Sequence, residues 1–565
     1  MNQLHGRLAR RIPEHTLMLI YAAIIGVGGG YGAVGFRGLI ALVTRLGYGV
    51  DQVQLASFHG FRALVVPAIG GLLVGLIVYF FAREAKGHGV PEVMYAITEQ
   101  KGIIRPRIVI AKAVASALSI GSGGSVGREG PIVQIGSAWG STFGQWLGLR
   151  ESQVKTLVAC GAAAGIAATF NAPIGGVLFA SEIILGSFAI TNLGSIVVAS
   201  VLSATIGRIY FGDFASFPIP SYSVSGVPVL IAFVVLGLLG GLFGVLYTRV
   251  LYLFEDLWDA IKALPDWVKP AIGGLILGGI GYFFPQVFGV GYPTVEGALL
   301  SSFGIGTLLL LLVLKLLATS MTISSGGSGG VFAPALFMGS MLGGAFGLVV
   351  LAAFPGLGVS AGAFAVVGMA AVFAGSARAP ITAIVMLFEM TGNYQLILPL
   401  MLATVVGTTE AAIIEKESIY TLKLSRRGVD IIRKRSADRL SSILVEEAMR
   451  PLTLEISESM ALSEAAKQFE QGSESFAILR ADDGSAKGIV SRSQLFEQLL
   501  GMKGNLDLHT LNPLKTGCVL KRSRLADASK IMTDLSVSFL LVLDEEGDPA
   551  GIIDANAIVA SYGRP

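Results

Sequence analysis

The sequence predicts an all-α polytopic membrane domain made of two repeated halves with re-entrant half-helices, followed by a cytoplasmic α/β domain. Three observations carry this prediction. Apolar residues make up 53% of the 565 and charged residues only 14%, against roughly 25% in soluble proteins. A glycine-rich run, Gly121-Ser122-Gly123-Gly124-Ser125-Val126-Gly127-Arg128-Glu129-Gly130-Pro131, is answered by Ser324-Ser325-Gly326-Gly327-Ser328-Gly329-Gly330-Val331-Phe332-Ala333-Pro334. From Thr421 onward, apolar stretches give way to a basic segment and then to soluble strand-and-helix patterning.

Residues 1–15 form a basic N-terminal segment with Arg7, Arg10 and Arg11 and no signal-peptide cleavage pattern. A second basic stretch follows the last apolar segment, so the positive-inside rule places both termini in the cytoplasm. The net charge of +3 is too small to suggest nucleic acid. Cys160 and Cys518 lie far apart, and His5, His15, His59, His88 and His509 are scattered. Neither set suggests a disulfide framework or a metal centre.

Apolar segments fill residues 16–424, and several are shorter than the roughly 20 residues a full span needs. Short segments beside glycine loops read as half-spanning helices, tolerated where protein or a polar cavity surrounds them. The first loop of interest is Gly87-His88-Gly89-Val90-Pro91-Glu92, which alone is weak evidence and suits an interfacial loop equally well.

The central runs are more informative. Glycine lets backbone amides approach a ligand, and a proline after it suits a helix first turn. A helix N-terminus presents free N–H groups and a partial positive charge, which attract an anion. Two such termini at the membrane midplane make an anion site without any lysine or arginine, in the manner of repeat-built transporters. Close helix packing also favours small residues. It does not, however, require Glu129 in one copy and Val331-Phe332 in the other.

A second pair extends the repeat. Ala172-Pro173-Ile174 leads to Glu182, and Ala379-Pro380-Ile381 leads to Glu389. The halves are therefore about 16–210 and 226–424. Carboxylates at matching places in apolar helices suggest a structural role on neighbouring backbone amides, favoured here over proton transfer.

A basic linker spans 425–442, with Arg426, Arg427, Arg433, Lys434, Arg435 and Arg439. Residues 443–563 hold two copies of a β-α-β pattern. The first contains Phe476-Ala477-Ile478-Leu479-Arg480 and Gly488-Ile489-Val490-Ser491, the second Phe539-Leu540-Leu541-Val542-Leu543 and Gly551-Ile552-Ile553-Asp554. This arrangement resembles a tandem pair of CBS domains.

Gly123-x-Ser125-x-Gly127 and Gly326-x-Ser328-x-Gly330 also match the nucleophile elbow of hydrolases. An elbow needs a soluble strand–turn–helix context and a histidine partner, so an enzyme is not expected.

Taken together, Gly127-Arg128-Glu129-Gly130-Pro131, Gly330-Val331-Phe332-Ala333-Pro334, Gly87-His88-Gly89-Val90-Pro91-Glu92 and Tyr420 resemble the CLC chloride channel and transporter family. The resemblance covers about residues 16–424. It implies two inverted halves and a homodimer in a lipid bilayer, in which each subunit has its own anion pathway. It also implies Glu129 as a gating carboxylate that takes an anion's place. His88, Gly130, Val331, Phe332, Ala333 and Tyr420 fall at anion-binding positions, with chloride and protons as the transported ions. No fixed cofactor is implied. A CBS pair suggests adenine nucleotide, but neither copy keeps the aspartate expected after Ser491 or Asp554.

Two departures stand out. His88 occupies a place where chloride-selective members often carry serine; either neutral or protonated imidazole has an N–H to offer an anion. The inner proton-transfer glutamate of many exchangers falls at Ile183, which carries no proton, leaving Glu129 with Glu182 or water as the proton path. The sequence thus favours proton-coupled chloride exchange in a bacterial inner membrane. A passive gated chloride channel is the alternative, and a nucleotide-responsive sensor the least supported reading.

Overall fold

A computed structural model describes residues 12–188, 190–213, 215–217, 219, 227–431, 440, 443–472, 474–501, 508, 512–514 and 516–562. Arg7, Arg10 and Arg11, together with Arg433, Lys434, Arg435, Arg439 and His509, fall outside them. The chain divides into two units, Met1–Val429 and Asp430–Pro565.

The first unit is helical throughout. Its first half contains α1 (Glu14–Tyr48), α2 (Arg62–Phe80), α3 (Val90–Glu99), α4 (Arg107–Gly121), α5 (Glu129–Leu147), α6 (Glu151–Phe170), α7 (Pro173–Phe179) and α8 (Ile190–Phe211). The second contains α9 (Val227–Ala260), α10 (Lys269–Phe283), α11 (Tyr292–Leu299), α12 (Ile305–Ser324), α13 (Phe332–Ala353), α14 (Ala361–Ala377), α15 (Pro380–Thr391) and α16 (Ile397–Ile414), and α17 (Thr421–Ser425) follows. Among the described helices, 8 are long and apolar enough to cross a membrane, and three shorter apolar helices accompany them.

The halves correspond helix by helix, in inverted orientation. Each opens with a long helix, of 35 and 34 residues, and has a short third helix, of 10 and 8. Each fifth helix begins at its glycine run, at Glu129 and at Phe332. Gly123 and Gly326 both take positive φ, +101° and +113°, a backbone that admits glycine at little cost. The same pair of helices crosses tightly in each half. A Cβ on Gly136 would lie 2.1 Å from the Gly161 carbonyl oxygen, and one on Gly339 would lie 2.4 Å from that of Gly368. Only glycine lets these backbones touch.

The second unit contains α18 (Val445–Ala448), β1 (Arg450–Pro451), β2 (Glu455–Ser457), α19 (Leu462–Gln471), β3 (Phe476–Arg480), β4 (Ala486–Ser491), α20 (Arg492–Gly501), β5 (Gly517–Leu520), α21 (Leu525–Leu535), β6 (Phe539–Leu543), β7 (Pro549–Asp554) and α22 (Ala555–Tyr562). Its sheets have the orders β2-β3-β4 and β1-β7-β6-β5. In each, a parallel pair adjoins an antiparallel hairpin, with matching irregularities at Leu479/Arg480 and Val542/Leu543. Ile489, Leu541 and Ile552 form a small apolar core with residues from both sheets.

Candidate functional site

The two glycine runs meet at the centre of the membrane unit. Gly127 and Gly330, equivalent residues of the two halves, exchange backbone hydrogen bonds of 2.8 and 2.6 Å in an antiparallel bridge. The Gly87 N–H donates to the Gly327 carbonyl at 2.9 Å, and the Gly289 N–H donates to the Gly123 carbonyl at 3.1 Å. Gly87-x-Gly89-x-Pro91 thus has a counterpart, Gly289-x-Gly291-x-Pro293, which the sequence reading had not paired with it.

Each of these loops is held by a buried lysine. Lys112 on α4 donates to the carbonyls of Ala85 and Gly87 at 2.9 and 2.7 Å. Lys315 on α12 donates to those of Val287 and Gly289 at 3.1 and 2.9 Å. Ionisable side chains inside membrane helices are expensive unless partnered. The paired carbonyls account for these two, and a lysine within an apolar helix was the signal that could have found them.

Glu129, the first residue of α5, is 1% exposed. Its Oε1 accepts from the Tyr292 hydroxyl at 3.1 Å, and the Ala333 backbone N–H at the start of α13 also faces its carboxylate. Oε2 makes no full hydrogen bond, and a Cβ on Gly127 would come within 2.0 Å of it. A carboxyl group therefore rests where the N-termini of α5 and α13 converge. The Arg128 guanidinium lies 5.0 Å from the centre of the Tyr292 ring. Arg37, Arg128 and Tyr292 line both a cavity of about 250 Å³ and a second of about 160 Å³. Arg128, the residue before Glu129, therefore borders both cavities.

Val331, Phe332 and Ala333 are buried at the start of α13, as is Gly130 on α5. The Phe332 ring packs on Phe170 and Phe373, with centroids 5.2 and 4.4 Å away, which fixes the backbone of this turn. Tyr247 donates to the Val331 carbonyl at 3.3 Å. Tyr420 is buried, 2% exposed. Its ring centre is 6.2 Å from that of His88, itself 2% exposed. The structure thus places Glu129, Gly130, Val331, Phe332, Ala333, His88 and Tyr420 around the meeting point of the runs. Tyr292, Tyr252 and Arg37 are further residues of this region that the sequence reading had not singled out.

Glu182 is engaged elsewhere. Its carboxylate accepts from the Ile381 N–H at 3.3 Å, the Thr382 N–H at 2.7 Å and the Thr382 hydroxyl at 2.6 Å. Glu389 returns the arrangement, accepting from the N–H groups of Ile174 and Gly175 at 3.0 and 2.6 Å. Each glutamate caps the first turn of the other half's Ala-Pro-Ile helix, where a carboxylate complements free N–H groups. Glu182 belongs to a wide π-type turn, Ala180–Leu185, that extends α7.

Residues 70–411 match the family model described as "Voltage gated chloride channel". A ClcB-like chloride channel protein of Ralstonia nicotianae is 36% identical over 424 residues, covering 74% of this chain and 98% of that protein. The H(+)/Cl(-) exchange transporter ClcA of Salmonella arizonae is 33% identical over 436 residues, covering 74% of this chain and 92% of that protein. Among solved structures, a slow cyanobacterial Cl-/H+ antiporter superposes with a TM-score of 0.67 at 28% identity, covering 73% of this chain and 97% of the other.

Proposed function

We propose that the chain, which belongs to the voltage gated chloride channel (CLC) family, exchanges chloride for protons, with Glu129 as the gate. The observation that carries this is the seating of the Glu129 carboxylate. It occupies the place where two helix N-termini and the Tyr292 hydroxyl would receive chloride. Protonation would neutralise it and release the place to chloride. The relatives named as H(+)/Cl(-) exchange transporter and Cl-/H+ antiporter favour exchange over passive flow.

In this reading the backbone of Val331, Phe332 and Ala333 holds the central anion, with Gly130 giving room and Tyr420 offering its hydroxyl. Lys423, Arg426 and Arg427 mark the cytoplasmic side. Two copies form a homodimer in the inner membrane, each with its own pathway. The second unit is a CBS pair serving the assembly. Asp554 caps the Ala557 N–H at 2.6 Å and pairs with Arg450 at 3.3 Å, so its carboxylate is used internally. Adenine nucleotide remains the ligand to try there.

The second reading, a gated chloride channel, rests on Ile183, a side chain that cannot carry a proton. The two are separated in liposomes holding the purified full-length protein, with chloride and proton movement recorded together. A chloride gradient that drives protons uphill at a fixed ratio supports exchange. Chloride flux with no proton movement makes the protein a channel, and no chloride flux removes both readings.

A further inference from the structure

His88 presents its surroundings with a constraint that a simple anion ligand would not have. Its buried Nδ1 makes no hydrogen bond, and its Nε2 lies 3.4 Å from the Tyr252 hydroxyl oxygen. That hydroxyl has a single proton, directed at the Ile419 carbonyl at 2.8 Å. A carbonyl can only accept, so towards His88 the Tyr252 oxygen is the acceptor and Nε2 is the donor. A neutral imidazole carries one N–H. Nδ1 is then a bare lone pair, and neutral His88 has no N–H for an anion. This corrects the expectation that the neutral ring donates to the bound anion.

We propose that His88 is the inner proton acceptor of the exchange cycle, binding a proton at Nδ1 and holding an anion only in that doubly protonated form. The inference rests on the exchange reading above. The step is a protonation alone: a proton from water on the α17 side moves onto the Nδ1 lone pair, and bound chloride balances the new positive charge.

The two residues at the place of the family's inner glutamate are occupied or unable to titrate. Both oxygens of Glu182 are on backbone and hydroxyl donors, and Ile183 is aliphatic. The cations facing the ring are Lys112 on α4, Lys423 on α17 and Arg427, which pairs with Glu92 on α3 at 2.8 Å. From α9, Tyr252 carries Arg426 over its ring at 4.9 Å, and Arg426 pairs with Asp256 at 2.7 Å. Glu255 faces both Tyr252 and Lys423, and Tyr420 completes the enclosure. Among so many cations a second proton on the ring is opposed until an anion arrives. Proton and anion therefore strengthen each other's binding by the same factor.

The test uses the full-length protein with Glu129→Gln, which removes the other titrating group of the pathway. Isothermal titration with chloride, in two buffers of different ionisation enthalpy, counts the protons taken up on binding. Uptake is expected with Glu129→Gln alone, and chloride affinity should fall about tenfold per pH unit once the ring is mostly neutral. Adding His88→Ser should abolish the uptake while chloride still binds. Adding Tyr252→Phe should reduce it, because Nε2 no longer needs its proton and the neutral ring can turn an N–H to the anion. Chloride binding without uptake in Glu129→Gln, or uptake that persists with His88→Ser, would overturn the proposal. Absence of chloride binding in wild type and Glu129→Gln alike would instead overturn the chloride reading beneath it.

Discussion

The Tyr292 hydroxyl donates to Oε1 of Glu129 at 3.1 Å, so the first helical residue of α11 holds the first residue of α5. The face of the same ring carries the Arg128 guanidinium at 5.0 Å. One side chain of the second half therefore fixes two adjacent residues of the first. Any outward swing of the Glu129 carboxylate has to break the Tyr292 bond.

In the proposed exchange, removing that hydroxyl should loosen the Glu129 carboxylate from its seat. A hydrogen bond to a charged group contributes about 1.5–3 kcal/mol, which corresponds to roughly a tenfold to hundredfold change in the seated population. Tyr292→Phe should accordingly speed chloride efflux from liposomes, most of all at alkaline pH. Efflux at the wild-type rate across the pH range would mean that another contact holds the gate.

Glu129→Gln removes the charge and the transferable proton together. Chloride flux should continue and lose the part of its pH dependence that Glu129 imposes, keeping only the part that follows chloride binding at His88, and chloride-driven proton movement should stop. Simultaneous chloride and proton electrodes check both halves of this expectation. A variant that still pumps protons uphill would place the coupling carboxylate elsewhere.

The repeat was legible because its residues answer each other in order, and the bridge of Gly127 to Gly330 joins matching positions of the two runs. The capping role suggested for Glu182 and Glu389 rested on the same logic, and their bonds to the backbone N–H groups of Thr382 and Gly175 fit it. Tyr292 was not legible. Its loop shares only two glycines and a proline with Gly87–Pro91, and a tyrosine facing valine across the repeat gives no signal of contact with Glu129. The tautomer of His88 was out of reach for a different reason. It depends on Tyr252 and Ile419, remote in sequence and brought to the ring only by folding.

Glu182→Gln and Glu389→Gln should cost stability rather than coupling. Each keeps an acceptor but loses the charge that complements a helix N-terminus, worth about 0.3–1 kcal/mol and up to about 2 where partly buried. Thermal unfolding in detergent should show a lower midpoint for each variant. The chloride-to-proton ratio in liposomes should stay near that of the wild type. Proton movement lost in Glu182→Gln with chloride flux intact would make Glu182 the inner relay and displace His88 from that role.

Gly127→Ala tests the seat itself rather than the group that fills it. The new Cβ would fall 2.0 Å from Glu129 Oε2, with Ala333 Cβ and N at 3.1 and 3.2 Å. The Ala333 contacts are tight and call for shifts of a few tenths of an ångström. The carboxylate cannot remain, yet it ends a flexible side chain and can leave. Gly127 is not among the positive-φ glycines, so alanine meets no backbone penalty there. Its hydrogen bonds to Gly330 use backbone atoms only and should survive. Gly127→Ala should therefore raise chloride flux at alkaline pH towards that of Glu129→Gln. Unlike that variant, it retains a carboxylate that can still carry protons, so it should move more chloride per proton instead of losing proton movement. A thermal midpoint close to wild type would show that the fold tolerates the methyl group. A folded Gly127→Ala protein with the wild-type flux, pH profile and ratio would mean that the carboxylate does not block the anion from this position.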